Sequence, residues 1–483
     1  MQVLRKTIIS GTKWTTLSTA TIALVQIVRI SILARFLDKS DFGIVAILTF
    51  ITGFTCVFAD MGFSVAIMHK KNITKNEFYS IYWLQFALLL TVYLFVSAFS
   101  PFVAEFYHVP LIKTLMPIAL LELLLFGIGR LYETVKQKQM DFRFIAIRNI
   151  YATFISLAVA ILLAYYGFGV YSLIISTLSQ SFINNLLNFI AGQETYKMKL
   201  RFSFSEVRPF IKMGLYQTGS QVMDYFSSKI DILILGKFFG SDILGIYSLA
   251  KELVLKIIFI INSIVNRISL PLLSDIQEDN IKLRQYYVLI IRTLSFVNFP
   301  VCIAMMIFSP FIVRILYGAN YMDMVPLMSI LSLYAIFICI GNPVGNLIIA
   351  KGRTDMVFKW TIYRIFITSI VVLGSAFFTI TIVALAQVVL AILFGLIIWK
   401  IIIHKLIGLS LSDYIFAFSR MLLLSLSVGS ITYLLINRDI VGNFNLYGQM
   451  IFYLIIYAVL LLISIWLFGT KQLFAIVKYI KSN

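Results

Sequence analysis

Apolar runs of about 20 residues recur along the whole of this 483-residue chain, and nothing else in it constrains the fold as tightly. Each run is long enough to cross a hydrocarbon core about 30 Å thick as a helix. The chain is 60% hydrophobic and 13% charged, whereas a soluble domain carries about 25% charged residues. The expected fold class is therefore an all-α polytopic membrane protein. The first run continues beyond the length of a signal-peptide core and has no small-residue cleavage site, which makes it a retained helix.

Fourteen candidate spans follow from the hydropathy pattern, at 12–36, 42–68, 77–100, 111–135, 145–166, 169–191, 210–236, 242–268, 286–308, 322–350, 356–378, 380–403, 413–435 and 448–469. With the N-terminus inside, 29 of the 40 Lys and Arg residues fall on inner loops and flanks and 6 on outer ones. That asymmetry predicts both termini in the cytoplasm. The inner set includes Arg5, Lys6, Arg130, Arg148, Lys212, Arg267, Lys471, Lys478 and Lys481. All five tryptophans stand near inner span ends, where an indole prefers the headgroup level. The net charge of +19 is thus a topological signal. A nucleic-acid partner would call for a basic face on a soluble domain, so none is expected.

The longest polar segments, 192–209 and 271–285, are too short to fold alone. Without an extramembrane catalytic domain, an enzyme is not expected. Cys56, Cys302 and Cys339 lie in apolar runs without metal-ligand spacing, and His69, His108 and His404 form no cluster. No metal or other cofactor is expected. No GxxxxGK[ST] loop is present, so ATP is not an expected ligand.

The first span ends in ARFLDKSDFGIVA and the seventh in GKFFGSDILGIYS. With a one-residue gap, Arg35-Phe36 aligns with Lys237-Phe238, Ser40-Asp41 with Ser241-Asp242, and Gly43-Ile44 with Gly245-Ile246. Both copies run outward, which predicts parallel repeats about an axis along the membrane normal. The expected organisation is a lobe of six spans over 1–200, a second over 201–405, and two further helices with the tail over 406–483.

An ionisable side chain at the bilayer centre costs about 2.5–3.5 kcal/mol and usually faces a wet cavity or a partner. The stretch Tyr216–Lys256 carries Asp224, Lys229, Asp231, Lys251, Glu252 and Lys256 in two spans joined near Gly240. Arg29 shares a polar stripe with Thr12, Thr16, Thr19 and Gln26 in the first span. We read Arg29, Lys229, Lys251 and Lys256 as a cationic cavity lining. For Arg29, the blander reading is a snorkelling side chain or a pair with Asp231; for Lys256, it is an i,i+4 pair with Glu252. Asp224 and Asp231 share one helix face with Ser228, and are candidates for cation coupling or for structural pairs. Asp60 lies between Gly53 and Gly62, as a gate or as a satisfied helix-end carboxylate. Glu122 and Arg420 are isolated and read as packing contacts.

Several stretches, in this order and spacing, carry a family resemblance: LARFLDKSDFGIVA, FADMGFSVAIMHKKNITKNEF, FYHVP, KQKQMDFRFIAIRN, GSDILGIYSLAKEL, LPLLSDIQED, LYGANY and GNPVGNLIIAKGRTD. Together they resemble polysaccharide flippases of the multidrug/oligosaccharidyl-lipid/polysaccharide (MOP) exporter superfamily, in the Wzx-like branch of colanic and teichuronic acid exporters. The resemblance implies a MATE-like pair of lobes in a bacterial inner membrane. It also implies translocation of a polyprenyl-pyrophosphate-linked oligosaccharide for O-antigen, capsule or exopolysaccharide. The partners would be that lipid-linked substrate, membrane lipids, and polysaccharide polymerase or chain-length machinery. Lipid II translocation and multidrug or cation antiport are the alternatives. Five in-span cations favour an anionic cargo over a cationic drug.

Overall fold

The computed structural model describes residues 2–70, 72–438, 440 and 444–468, and among them it is helical with no strand. The tail with Lys471, Lys478 and Lys481 lies outside the described residues, as do the side chains of Arg5, Lys6, Thr12, Lys212 and Arg267. The chain is a multi-pass helical membrane protein. Twelve helical segments among the described residues are long and apolar enough to cross a bilayer.

Two compact units divide the chain, Met1–Ser248 and Leu249–Asn483. The first begins with α1 (Gln2–Leu33), α2 (Lys39–Asp60), α3 (Phe63–His69) and α4 (Lys75–Ala98). It continues with α5 (Ser100–Tyr107), α6 (Ile112–Lys138), α7 (Phe142–Tyr165) and α8 (Val170–Gly192). Helix α6 packs on α8, α4 and α2, while α7 packs on α1 and α8. The long α9 (Phe204–Asp275) contributes to both units.

The second unit holds α10 (Asn280–Ile307), α11 (Ser309–Leu316), α12 (Met324–Gly341), α13 (Pro343–Ala350), α14 (Thr354–Ala376) and α15 (Ile380–Ile398). A π-turn at Trp399–Ile403 leads into α16 (His404–Ile407), followed by α17 (Leu411–Asn437) and α18 (Leu446–Phe468). Here α10 is the shared neighbour of α12 and α17, and α18 lies against α17. Tyr457 of α18 donates its hydroxyl to the Pro300 carbonyl of α10 at 2.8 Å, tying the last helix to the centre of its unit.

Side-chain caps mark where these helices start. Thr74 and Glu77 form a reciprocal capping box at α4. Asp279 accepts from the backbone N–H groups of Ile281 and Lys282, and Ser410 accepts from that of Asp413. Each such cap stabilises its helix by about 1 kcal/mol. Prolines set the breaks. Phe99-Ser100-Pro101-Phe102 and Phe308-Ser309-Pro310-Phe311 repeat one another, and each opens a short helix after a long one. A proline ring clashes with the carbonyl four residues earlier, so the long helix cannot run straight through it. This second repeat went unread in the sequence.

The two expected spans at 210–236 and 242–268 both lie in α9, which carries more charge than a lipid-facing helix tolerates. Gly240 interrupts it with φ 75° and ψ 179°, a backbone conformation open to glycine and costly for other residues.

The aligned repeat motifs meet within the first unit. A β-carbon on Gly43 would stand 1.9 Å from the Ser241 carbonyl oxygen, and one on Gly245 would stand 2.0 Å from that of Lys39. Taken without a gap, the register that carries Gly43 to Gly245 carries Lys39 to Ser241, one residue from the Ser40–Ser241 match of the gapped alignment. The contacts are therefore exchanged, as across a local twofold axis, where i meets j′ and i′ meets j. Bare glycine lets the backbones approach this closely.

Gly43→Ala and Gly245→Ala must push these backbones apart. Overpacking costs about 1–3 kcal/mol when side chains can yield, and here the obstacle is main chain. We expect each variant to lose about 3 kcal/mol, read as a lower unfolding midpoint of the purified protein. Gly219→Ala, on the same α9 with nothing within 4 Å, is expected to unfold at or above the parent midpoint.

Candidate functional site

The expected in-span cations divide between the units: Arg29 and Lys229 in the first, Lys251 and Lys256 in the second. Arg29 is half-buried on α1. Its Nη1 donates to Ser156 Oγ of α7 at 3.3 Å, and Ser156 donates in turn to the Ser176 carbonyl of α8 at 2.7 Å. Three helices thus position the guanidinium. Along the same helix the Thr15 and Thr19 hydroxyls bond back to the carbonyls of Gly11 and Thr15.

On α9, Asp224 and Lys229 are exposed, whereas Asp231 is 3% exposed and accepts the Tyr247 hydroxyl at 2.6 Å. The face read from Asp224, Ser228 and Asp231 therefore passes from surface to interior within two turns. Lys251 is half-buried. Lys256 bonds Glu252 at 2.7 Å, the intrahelical pair that its spacing allows.

Asp60 ends α2 where the chain turns through two left-handed residues, Met61 (φ 41°) and Gly62 (φ 66°). Its carboxylate accepts the Ser64 hydroxyl from the next helix and lies 3.6 Å from Arg130 Nε. Arg130 lies 3.9 Å from Glu133, which pairs with Arg148 at 3.4 Å. Arg148 also donates to Asn188 and to Asn149, and Asn188 donates to Glu133 at 3.3 Å. This web joins α2, α3, α6, α7 and α8. Charge counting assigned Arg130 and Arg148 to inner flanks, and only the i,i+3 spacing of Arg130 and Glu133 announced a pair. The link to Asn188, on another helix, left no sequence signal.

Glu122 also has polar neighbours on other helices. It lines a cavity of about 30 Å³ between α2, α6 and α8, together with Thr49, Thr52 and Thr177 and the apolar Val45, Leu48, Ala119, Leu173, Ile174 and Leu178. The sequence signal was an ionisable residue in mid-span, which by default marks a functional position. Among the described residues, no group of three or more His, Cys, Asp or Glu side chains is arranged to hold a metal ion.

Residues 32–326 match the family described as "Polysaccharide biosynthesis protein". The chain is 27% identical over 440 residues to the teichuronic acid biosynthesis protein TuaB of Bacillus subtilis, covering 90% of each. It is 26% identical over 438 residues to the lipopolysaccharide biosynthesis protein WzxC of Escherichia coli, covering 89% of this chain and 88% of that one. Among solved structures, the lipid II flippase MurJ in an inward closed conformation superposes with a TM-score of 0.75. That match has 15% identity and covers 96% of this chain and 100% of that one. An inward-facing MATE-family transporter of the MOP superfamily gives 0.57 at 15% identity, covering 81% and 99%. At such identities these likenesses establish the fold.

Arg148 is 3% exposed and Glu133 20%. Removing one partner of a buried pair strands the other charge, at about 3–5 kcal/mol. Because Glu133 keeps Arg130 and Asn188 as partners, Arg148→Met is expected to cost less than that, about 1–3 kcal/mol, read as a lower unfolding midpoint, and adding Glu133→Gln to restore part of it. Breaking the exposed Arg353–Asp355 pair with Arg353→Ala is expected to leave the midpoint unchanged.

Proposed function

From the premise that this chain belongs to the polysaccharide biosynthesis protein family, we propose that it is a flippase for a polyprenyl-pyrophosphate-linked oligosaccharide. It carries the repeat unit from the cytoplasmic to the outer leaflet of a bacterial inner membrane. The observation that carries this reading is the set of ionisable side chains on α9, placed in runs otherwise apolar enough to span. The teichuronic acid and lipopolysaccharide relatives support it from the side of sequence.

A pyrophosphate and its sugars cannot enter hydrocarbon unaided, because each stripped polar group costs several kcal/mol. Cations held within the bundle replace water around the head group while the polyprenyl tail stays in lipid. In this proposal Arg29, Lys229 and Lys251 supply that lining, with Lys256 secondary because Glu252 already offsets its charge. Asp224, Asp231 and Asp60 are the carboxylates proposed for ion coupling or gating. Two six-helix lobes, 1–200 and 201–405, rock to expose the lining to each side in turn, with both termini in the cytoplasm and 406–483 appended. The exchanged Gly43 and Gly245 contacts support the parallel repeat behind this scheme. The product passes to polymerase and chain-length machinery outside, and the chain itself acts as a carrier rather than a catalyst.

Lipid II transport is the second reading, favoured by the fold likeness to the lipid II flippase. Cells deleted for this protein are expected to accumulate an undecaprenyl-pyrophosphate oligosaccharide inside and to lose surface polysaccharide. Accumulation of lipid II instead would replace the first reading by the second. Lys229→Ala and Lys251→Ala, at parental protein levels, are each expected to cut surface polysaccharide about tenfold, the equivalent of roughly 1.4 kcal/mol of binding. Full complementation by both would remove these residues from the site.

A further inference from the structure

We propose that the first unit binds one neutral sugar ring, a hexopyranose, in a cavity at the end that the charge asymmetry assigns to the cytoplasm. The cavity, of about 230 Å³, lies between the end of α3, the end of α6 and the segment that follows α8. The transport reading places cations and carboxylates on α1, α2 and α9 and gives no residue to the sugars. That the ring is one from the transported head group rests on that reading; the site itself does not.

The lining offers three kinds of surface. Ile67, Ile73 and Val135 form an apolar wall. Tyr196 adds an aromatic ring stacked on Phe78, with centroids 4.3 Å apart and planes within 14°. Asn72, Gln139 and Thr195 supply two primary amides and a hydroxyl. Among the described residues these three side chains make no hydrogen bond, which leaves both donors and acceptors for a ligand. Lys138 also lines the cavity, yet its charge is largely committed. Its ammonium donates to the carbonyls of Ile67, at 3.0 Å, and of Lys70, where α3 ends. Two of its three N–H groups thus cap a helix, and one remains.

A pyranose ring has the matching surfaces. Its C–H groups form an apolar face that packs on aromatic and branched aliphatic side chains, and its hydroxyls both donate and accept. A primary amide answers both halves of a hydroxyl, which an ammonium or a carboxylate cannot. An apolar ligand would leave the amides unsatisfied, and a phosphate would meet an ammonium already spent on carbonyls. The volume lies below the about 300–1,000 Å³ of sites for drug-sized ligands, which suits one ring rather than a chain of them.

The wall that carries Thr195 and Tyr196 is fixed in place although it is not helical. Tyr132 donates its hydroxyl to the Tyr196 carbonyl at 3.2 Å, and the Gln193 side chain accepts the Met198 N–H at 2.9 Å. Trp83 donates its indole N–H to the Lys199 carbonyl at 2.9 Å. The Tyr196 hydroxyl donates to the Ile73 carbonyl at 3.3 Å, tying one wall of the cavity to another. A segment that only joined α8 to α9 would need none of these bonds. A binding site gains from each, because ordering is not left to the ligand.

The test is ligand-observed saturation-transfer NMR on the purified full-length protein in a zwitterionic detergent, since a maltoside detergent would itself offer sugar rings. The probes are the methyl glycosides of glucose, galactose and mannose, with glycerol at equal concentration as the polyol control. Saturable transfer is expected to at least one glycoside and none to glycerol. Asn72 and Gln139 are exposed, so replacing them spares the fold. Asn72→Ala and Gln139→Ala each weaken binding about fivefold, the loss of one neutral hydrogen bond, and the double variant abolishes it. Arg353→Ala, in the second unit, leaves it unchanged. Absence of transfer to all three glycosides overturns the proposal, as does equal transfer to glycerol or transfer that survives the double variant. Displacement of the glycoside by inorganic phosphate at constant ionic strength overturns it too, since the site would then be one for anions. No lipid-linked substrate is present, so failure here leaves the cargo to be judged by the deletion phenotype alone.

Discussion

Inside hydrocarbon there is no water to complete a hydrogen bond, and every polar group in this protein has to be read against that lack. The backbone solves it by being helical. The side chains solve it locally: Thr15, Thr19, Thr55, Thr91, Thr177 and Ser269 turn their hydroxyls back onto their own helices. Where a side chain cannot do so, the partner is on a neighbouring helix. Asn298 donates to Asn262 at 3.0 Å and Asn346 to Asn266 at 3.1 Å, two amide links that join the second half of α9 to α10 and α13.

Such links are modest in membranes, averaging about 0.6 kcal/mol each, so they orient helices more than they hold them. Close packing supplies the rest, and it depends on small residues. Gly129 faces the Asn185 backbone so closely that a β-carbon would lie 2.5 Å from its Cα, and a β-carbon on Gly192 would lie 2.0 Å from the Tyr132 ring. These two glycines set the approach of α6 and α8. That approach then brings Glu133 and Arg148 within reach of Asn188.

What the sequence revealed and what it concealed divide along the same line. Apolar run length and proline position are local properties, which is why the spans at 77–100, 145–166 and 169–191 reappear nearly unchanged as α4, α7 and α8. The junction at Gly240 was legible for the same reason. Partnership is not local. Nothing around Glu122 in the chain foretold Thr52 and Thr177, which arrive on two other helices, and nothing around Arg148 foretold Asn188. Lys256 and Glu252 were readable because their partnership runs along one helix. Asp231 is an expected in-span carboxylate whose bond to Tyr247 crosses the Gly240 break, so helical spacing could not reveal it.

Helix α9 shows how magnitude decides between environments. Besides Lys237 and Asp242, which flank the Gly240 junction, six charged side chains stand in the two runs from Asp224 to Lys256. At about 2.5–3.5 kcal/mol each, exposing all of them to acyl chains would cost on the order of 15–21 kcal/mol. That exceeds the net stability of about 5–15 kcal/mol that a folded protein has to spare. Mutual pairing removes part of the sum at Lys256 and Glu252, and burial against Tyr247 removes part at Asp231. The remainder must be met by protein, water or a charged ligand. Lipid contact falls instead to the apolar spans, whose outward residues, such as Phe366, Ile370, Leu454 and Leu462, carry no polar atom to satisfy. The apolar helices keep the protein in the bilayer, and among the described residues α9 is a long helix too charged for that task.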